Sequence, residues 1–370
     1  MEHKWYAIIF IIFVIAIVVF GGFVYFSVTF SPASIDLEEC KTLKNDGGNI
    51  NIVIFGDKKS AEKYMNYFFN FKPFNSLKEK FNFFYIDNYI PECEIYKGIA
   101  ILCYSKELIR KAASCPADYI IVLNDAESSL RSSSYVNLIS LNINHPLSVF
   151  AHEFGHAFAN FAEEYVPAKI PRGALNCVKQ CSEFGGIENG CYEGCSQQDY
   201  IRSIDNGVMR TLKSEDYGKF DESILEDRIK EYGDSSILTG AVIQGIKDCT
   251  KEKYYLIEGN YAHGEIRINK KSIETGCVGT NGYGDLKFDV LLEDGSKVDN
   301  GKFNAEWVFT SAPGEDMVDG EVFENEGKFY LKIPVIENSR ELEIKDINEI
   351  ILAEASLYDI GRRLCLIENG

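Results

Sequence analysis

The stretch His152-Glu153-Phe154-Gly155-His156 decides how the rest of the chain is interpreted. Residues four positions apart lie about one turn apart on a helix, so His152 and His156 can point their imidazoles at one metal ion. Glu153 follows the first histidine directly, where it can take a proton from a metal-bound water. The motif predicts a zinc-dependent peptidase site; the competing interpretation is an amphipathic helix with two histidines in its core.

The residues around the motif predict a buried helix that begins with Ser148 as its N-cap. Gly155 costs about 1 kcal/mol relative to alanine in a helix interior. Its presence therefore predicts that another part of the chain, or the metal shell, approaches the helix closely at this position.

A third protein ligand is needed if one position of the metal is to stay open for water. On a helix that continues past His156, Glu163 returns to nearly the same face at about 100° per residue. Glu164 is rotated off that face and suits a supporting role, holding a ligand imidazole. If the helix breaks after Phe158 and the chain turns, this phase argument fails and Glu164 can be the residue that faces the metal. The remaining histidines lie elsewhere in the chain: His3, His145 and His263.

The stretch 152–165 reads HEFGHAFANFAEEY and resembles the zinc motif of the immunoglobulin A peptidase family, a metzincin-like family of zinc metallopeptidases. The family has Asp where this chain has Glu163, so the reach to the metal differs by one methylene. Segments that look like further family landmarks occur upstream in the same order, at 51–57, 73–74, 81–83 and 118–124. The resemblance covers roughly residues 48–230 and implies one catalytic Zn²⁺ ion.

Metzincins also place a methionine turn beneath the metal. The candidate is Asn206-Gly207-Val208-Met209-Arg210, a turn dipeptide that leads into one of only four methionines. The resemblance therefore implies that Met209 supports the base of the metal site. Tyr165 is expected beside the two glutamates, bracing Glu163 and Glu164.

Residues 6–30 form a stretch of 25 residues without a charge. At 1.5 Å per residue this exceeds the ~30 Å hydrocarbon core of a bilayer, which predicts a transmembrane anchor. A cleaved signal peptide is the alternative, with Pro32-Ala33-Ser34 as its weak cleavage site. Lys4 before the span and acidic residues after it favour a cytoplasmic N-terminus, with the remaining chain outside a cell membrane.

Eleven cysteines fit an exported chain better than a cytosolic one. The spacing favours two nested disulfides that staple a helical hairpin, Cys177–Cys195 and Cys181–Cys191. A second, structural zinc site is the alternative for the same four residues. The odd total leaves at least one cysteine outside any intramolecular pair.

The net charge of −18 and the isoelectric point near 4.8 argue against a nucleic-acid partner and against docking on anionic lipid. The acidic residues are scattered, which indicates a solvated surface rather than a specific acidic tail.

The expected fold class is α+β, with four parts: a transmembrane helix at 6–30, a linker at 31–48, a metallopeptidase domain at 49–250 and a β-sandwich at 251–370. Alternating strand and helix patterns predict a layered α/β peptidase domain. The clearest predicted strands are 50–55, 81–86, 119–123 and 286–292, and the clearest helices are 61–69 and 106–113. Residues 137–142 are a candidate edge strand that can pair with an extended substrate.

Together these patterns predict a membrane-anchored, extracytoplasmic zinc endopeptidase whose partner is a protein or peptide substrate. The alternative is a cell-surface binding or adhesion protein in which the β-sandwich is the functional part and the zinc helix is inactive. An intact Glu153 favours the enzyme, since an inactive site has no need of a general base.

Overall fold

The computed structural model describes residues 37–235, 248–279, 284–305, 308–311 and 327–358. The helices within these ranges are α1 (Lys58–Phe68), α2 (Lys106–Ala112), α3 (Ser148–Ala159) and α4 (Lys219–Ser235). The strands that precede α3 are β1 (Lys41–Lys44), β2 (Ile50–Phe55), β3 (Phe81–Ile86), β4 (Glu94–Tyr96), β5 (Ala100–Leu102), β6 (Tyr119–Asn124), β7 (Ser132–Tyr135) and β8 (Leu138–Asn142). The strands that follow α3 are β9 (Tyr192–Cys195), β10 (Gln197–Arg202), β11 (Lys253–Ala262), β12 (Glu265–Thr275), β13 (Leu286–Leu292), β14 (Lys297–Phe303), β15 (Val308–Ser311), β16 (Gly327–Pro334), β17 (Ser339–Lys345) and β18 (Ile351–Ser356).

The main sheet has seven strands in the order β1-β3-β2-β6-β8-β7-β15. Strands β3, β2, β6 and β8 run parallel, while β1, β7 and β15 are each antiparallel to the strand at their inner side. The parallel strands are short runs of aliphatic and aromatic residues because helices or strands cover both faces. The predicted strands 50–55 and 81–86 coincide with β2 and β3.

Successive side chains of β2 point to opposite faces of the main sheet. Ile52 and Ile54 belong to a core shared with α1, α3 and α4, whereas Val53 and Phe55 belong to a second core shared with α2 and β11. The first core is rich in aromatic rings, including Phe68, Phe150, Phe154, Phe158 and Tyr232. The helix that carries the histidine motif is therefore packed directly on the sheet.

The C-terminal part forms two sheets, β12-β11-β16 and β14-β13-β17-β18. Their facing side chains build one core, to which the first sheet gives Ile257 and Phe329 and the second gives Phe288 and Leu342. This face-to-face arrangement is a β-sandwich. Strand β15 does not belong to it, because it pairs with β7 at the edge of the main sheet.

The fold class expected from the sequence is corrected by the structure. The described residues form a mixed α/β fold with more strand than helix, where an α+β fold was expected. Among the residues that the structure describes, no helix is long and apolar enough to cross a membrane. The span predicted at 6–30 lies outside those residues. Residues 41–44, expected within a linker, form β1 and pair with β3.

The candidate edge strand at 137–142 is also corrected. These residues form β8, which lies inside the sheet between β6 and β7. The antiparallel strand β7 is the one that lies beyond it. Its residues Ser132–Tyr135 are mostly serines, so the hydrophobic pattern that marks a buried strand is missing from them.

Candidate metal centre

Helix α3 presents the histidine motif. His152, Glu153 and His156 are buried, with relative exposures of 2%, 0% and 2%. The helix begins after Leu147, and the predicted N-cap Ser148 is its first residue instead. The Ser148 hydroxyl donates a hydrogen bond to the carbonyl of Leu212. It thereby ties the start of the helix to the segment that carries the methionine candidate.

The end of α3 explains how the third acidic ligand is reached. Asn160 adopts the left-handed conformation, with φ 54°, and its N–H bonds to the His156 carbonyl. Asparagine tolerates this conformation better than most residues, and it commonly ends a helix. The chain then turns back. The continuing-helix argument for Glu163 is therefore wrong, although the reversed chain brings Glu163 to the histidines.

The acceptor groups of three residues converge, two imidazole nitrogens and one carboxylate. The Nε2 atoms of His152 and His156 are 3.1 Å apart. The Glu163 carboxylate lies 3.3 Å from His152 Nε2 through Oε2 and 3.2 Å from His156 Nε2 through Oε1. Bonds of ~2.0–2.1 Å from a tetrahedral zinc give ligand-to-ligand separations of about 3.3 Å. The buried group formed by these residues can thus hold a metal ion.

The outer ring nitrogens fix the tautomer of each histidine. His152 Nδ1 donates to the Val208 carbonyl at 2.9 Å, and His156 Nδ1 donates to the Phe161 carbonyl at 2.6 Å. Because carbonyl oxygens only accept, the hydrogen of each neutral ring resides on Nδ1 and the lone pair points inward from Nε2. Two lone pairs and a carboxylate then face one another at close range. A cation between them removes that repulsion.

The electrostatics of the cluster agree with this geometry. Burial disfavours the charged form of each group, but Glu163 raises the pKa of His152 to about 9. The two imidazoles lower the pKa of Glu163 to about 2, again against the effect of burial. Without a metal, the ionised Glu163 carboxylate favours the protonated form of His152. A divalent cation supplies the same compensation and leaves both rings neutral.

Met209 lies against the helix at Gly155. A Cβ atom added at Gly155 would come within 2.7 Å of Met209 Sδ and 3.1 Å of Phe161 Cδ2. The backbone around Met209 also supports the centre, because the Val208 carbonyl holds His152 and the Met209 carbonyl accepts from the Glu164 N–H at 3.0 Å. The close approach predicted from the helical glycine is the one made by this turn.

Glu164 does not belong to the metal-binding group, and its side chain is completely buried next to Asp221. Its Oε2 lies 3.1 Å from the position that a Cβ on Gly207 would take, so the carboxyl group packs under the methionine turn. Burial raises the pKa of Glu164 to about 8, although its hydrogen bond with Asp221 lowers it. Burial and the neighbouring Glu164 raise the pKa of Asp221 well above its usual range. The pair therefore retains a proton. Asp221 lies in the first turn of α4 and carries no sequence signal for this contact.

Tyr165 and Glu153 lie beside the cluster. Burial and the nearby Glu163 carboxylate raise the pKa of Tyr165 well above its usual range, so its phenol is neutral. The charge of Glu153 contributes to the raised pKa of His152. A carboxyl group and a neutral phenol consequently lie beside the His152, His156 and Glu163 cluster.

The cysteine-rich loop holds the backbone on either side of Glu163. Asn176 accepts from the Ala162 N–H at 2.8 Å and donates to the Ala162 carbonyl at 2.9 Å. The Ser196 hydroxyl donates to the Glu163 carbonyl at 2.6 Å. Asn176 and Ser196 each adjoin one cysteine of the disulfide Cys177–Cys195. No pattern in the sequence predicts these hydrogen bonds.

Both nested disulfides favoured by the spacing are present, Cys177–Cys195 and Cys181–Cys191. The predicted helical hairpin is wrong: Cys181 begins a short 3-10 turn, and Cys195 ends β9 of a β-hairpin. Glycines and β-forming residues between the cysteines favour turns over helix. The other disulfides among the described residues are Cys40–Cys115, Cys93–Cys103 and Cys249–Cys277.

No protein-family model matches this chain, and no curated protein matches it.

Proposed function

We propose that this chain is a zinc-dependent endopeptidase. The observation that carries the proposal is the convergence of His152 Nε2, His156 Nε2 and the Glu163 carboxylate within 3.3 Å of one another. Three protein ligands leave one position of a four-coordinate zinc for water or substrate, which is the pattern of catalytic rather than structural sites. The buried Glu153 beside them supplies a base.

The donor set favours zinc over the hard cations. Calcium and magnesium take oxygen ligands almost exclusively, whereas two imidazoles and one carboxylate suit zinc and its transition-metal neighbours. Iron(II) is also bound by two histidines and a carboxylate, in oxygenases. Glu153, directly after the first ligand on the same helix, favours hydrolysis because a positioned carboxylate serves as a proton acceptor for water.

The proposed mechanism assigns a task to each group. When bound, the metal ion acts as a Lewis acid and lowers the pKa of a water toward ~7. Glu153 accepts the proton of the attacking water and passes it to the leaving amine. Tyr165 holds a neutral phenol next to Glu163, where it can donate a hydrogen bond. Val208 and Phe161 orient the two imidazoles through their carbonyl groups.

The compartment and the substrate class of the proposed enzyme rest on two further features of the chain. The five disulfides support activity in an oxidising compartment outside the cytoplasm. The resemblance to the immunoglobulin A peptidase family supports a protein or peptide substrate. The family name does not extend to a particular substrate, because one fold serves many specificities.

The test uses the full-length chain and fluorescein-labelled casein, an unfolded protein. We expect one bound zinc per chain, hydrolysis of the casein, loss of hydrolysis on treatment with a chelator and recovery when zinc is returned. Glu79→Gln, an exposed glutamate far along the chain from the motif, serves as a control. Stoichiometric zinc without any hydrolysis would favour the alternative of a binding protein with an inactive metal helix.

A further inference from the structure

The residue that ends the metal helix contacts the C-terminal sandwich. Asn160 is 2% exposed, and its Nδ2 donates a hydrogen bond to the Arg172 carbonyl at 2.9 Å. Because a carbonyl oxygen only accepts, this bond fixes the orientation of the Asn160 amide and leaves its Oδ1 as the acceptor on the other side. Asn304 Nδ2 donates to that oxygen at 3.3 Å. A side chain that directly follows β14 is therefore bonded to the end of α3.

The open end of the β13–β14 hairpin makes a second contact with the same region. Leu286 pairs with Phe303 in this hairpin, so Asp285 and Asn304 lie next to each other just beyond the last pair. The Asp285 carboxylate is buried and forms an ion pair with Arg172 Nε at 2.9 Å. The sandwich thus holds both partners of one hydrogen bond, Asn160 directly and Arg172 through its guanidinium group.

The position of Asn160 sets the position of a group that orients a metal ligand. The Asn160 N–H bonds to the His156 carbonyl at 2.9 Å, and the next residue, Phe161, has its N–H 3.3 Å from the Gly155 carbonyl. The Phe161 carbonyl then accepts from His156 Nδ1 at 2.6 Å. Hydrogen bonds weaken steeply when their angle changes. A shift of Asn160 therefore turns the His156 ring away from the other two ligands.

The sandwich can hold this position because it is packed on the main sheet. Tyr254 and Leu256 of β11 are fully buried and belong to the second core of the main sheet. Domains that share only a small polar interface usually move relative to each other. The shared apolar core instead gives Asp285 and Asn304 a fixed place beside the end of α3.

We propose that Asn304 is a positioning residue of the metal centre: through Asn160, it holds the backbone carbonyl that orients His156. Asp285 acts at the same place through its ion pair with Arg172. The sandwich is then part of the metal centre and not a separate module. The inference rests on the proposed function for its role in catalysis, but the binding of zinc is enough to test it.

The test removes the contact from each side in the full-length chain. Asn304→Ala removes the donor, and Asn300→Ala is the matched control, because Asn300 is an exposed asparagine of β14. Asn160→Gly removes both side-chain bonds of Asn160, while glycine still adopts the left-handed conformation that ends the helix. Chelator competition gives the zinc affinity. The visible absorption spectrum of the Co²⁺-loaded protein reports the geometry of the ligands, which a change in overall stability does not alter.

Asn304→Ala should bind zinc about fivefold more weakly than Asn300→Ala, the scale of one hydrogen bond, and should have an altered cobalt spectrum. Asn160→Gly should lose about tenfold or more in zinc affinity. Adding Asn304→Ala to Asn160→Gly should cost nothing further, because the acceptor is already gone.

An Asn304→Ala protein with the zinc affinity and the cobalt spectrum of Asn300→Ala would overturn the positioning role. If Asn304→Ala does not fold, Asn304→Asp makes the same test, since it keeps the shape of the side chain and loses the donor. Casein hydrolysis is measured separately. A wild-type chain that shows these effects on zinc binding but does not hydrolyse casein supports the positioning role and contradicts the peptidase function alone.

Discussion

Met209 Sδ lies so close to α3 that a Cβ atom on Gly155 would come within 2.7 Å of it. The space between the helix and the turn is too small for one additional methyl group on Gly155. This contact sets the distance between the helix that carries the histidines and the turn whose carbonyl holds His152.

Gly155→Ala therefore has two effects of opposite sign on the stability of the folded protein. Helix propensity alone predicts stabilisation by about 1 kcal/mol, whereas overpacking costs roughly 1–3 kcal/mol. We expect a lower melting temperature and weaker zinc binding, measured by thermal unfolding and chelator competition. The double variant with Met209→Ala should recover part of the zinc affinity because the sulfur is gone. A higher melting temperature for Gly155→Ala would show that the contact is not tight.

The sequence was informative where a periodic pattern decides the structure. A short apolar run predicts the strands at 50–55 and 81–86, and apolar residues three to four positions apart predict the helix around His152 and His156. Strand β7 consists of three serines and a tyrosine, so it shows no hydrophobic pattern that would predict a strand. The neighbouring strand β8 was therefore expected at the edge of the sheet.

The residues of the candidate site could be predicted from the sequence only in part, for a related reason. Glu163 reaches the histidines because Asn160 takes a left-handed conformation, which depends on a single residue and breaks the helical phase. The groups of Val208 and Phe161 that orient the histidines are backbone carbonyls. Every residue has such a carbonyl, so the residue type does not predict this contact. Asp221 meets Glu164 only through tertiary packing of α4.

The two adjacent glutamates should differ sharply as zinc ligands. Glu163→Ala removes a direct ligand, so we expect zinc affinity to fall by more than the 10–100-fold typical of supporting residues. Glu164→Gln should stay within about tenfold of wild type, because Glu164 is protonated in its pair with Asp221 and Gln has nearly the same shape. Chelator competition measures both. The reverse order of affinities would transfer the ligand role to Glu164.

Zinc binding should release a proton at neutral pH. Glu163 raises the pKa of His152 to about 9 in the metal-free cluster, and the metal requires the neutral ring. Apparent affinity should therefore rise about tenfold per pH unit up to pH ~9 and level off above it. Calorimetry in two buffers of different ionisation enthalpy counts the protons. Glu163→Gln is the control, with less release; no release by the wild-type chain at pH 7 would contradict the assignment.

The nested disulfides should contribute unequally to the metal centre. Cys177 and Cys195 are buried, and their neighbours bind the backbone around Glu163, whereas Cys181 and Cys191 are exposed. Replacing the buried pair by serines should weaken zinc binding at least about tenfold, a supporting-residue effect. Replacing the exposed pair should lower stability with little change in zinc affinity. Equal losses of zinc affinity would show that the loop acts only through overall stability.

The most direct measurement compares casein hydrolysis by the full-length wild-type chain and by Glu153→Gln at equal zinc content. Glu153 is not one of the three converging ligands, so the variant should keep its metal. If the carboxylate is the general base, the rate falls by at least about two orders of magnitude. A zinc-loaded Glu153→Gln protein that hydrolyses casein at close to the wild-type rate would contradict the proposed peptidase mechanism.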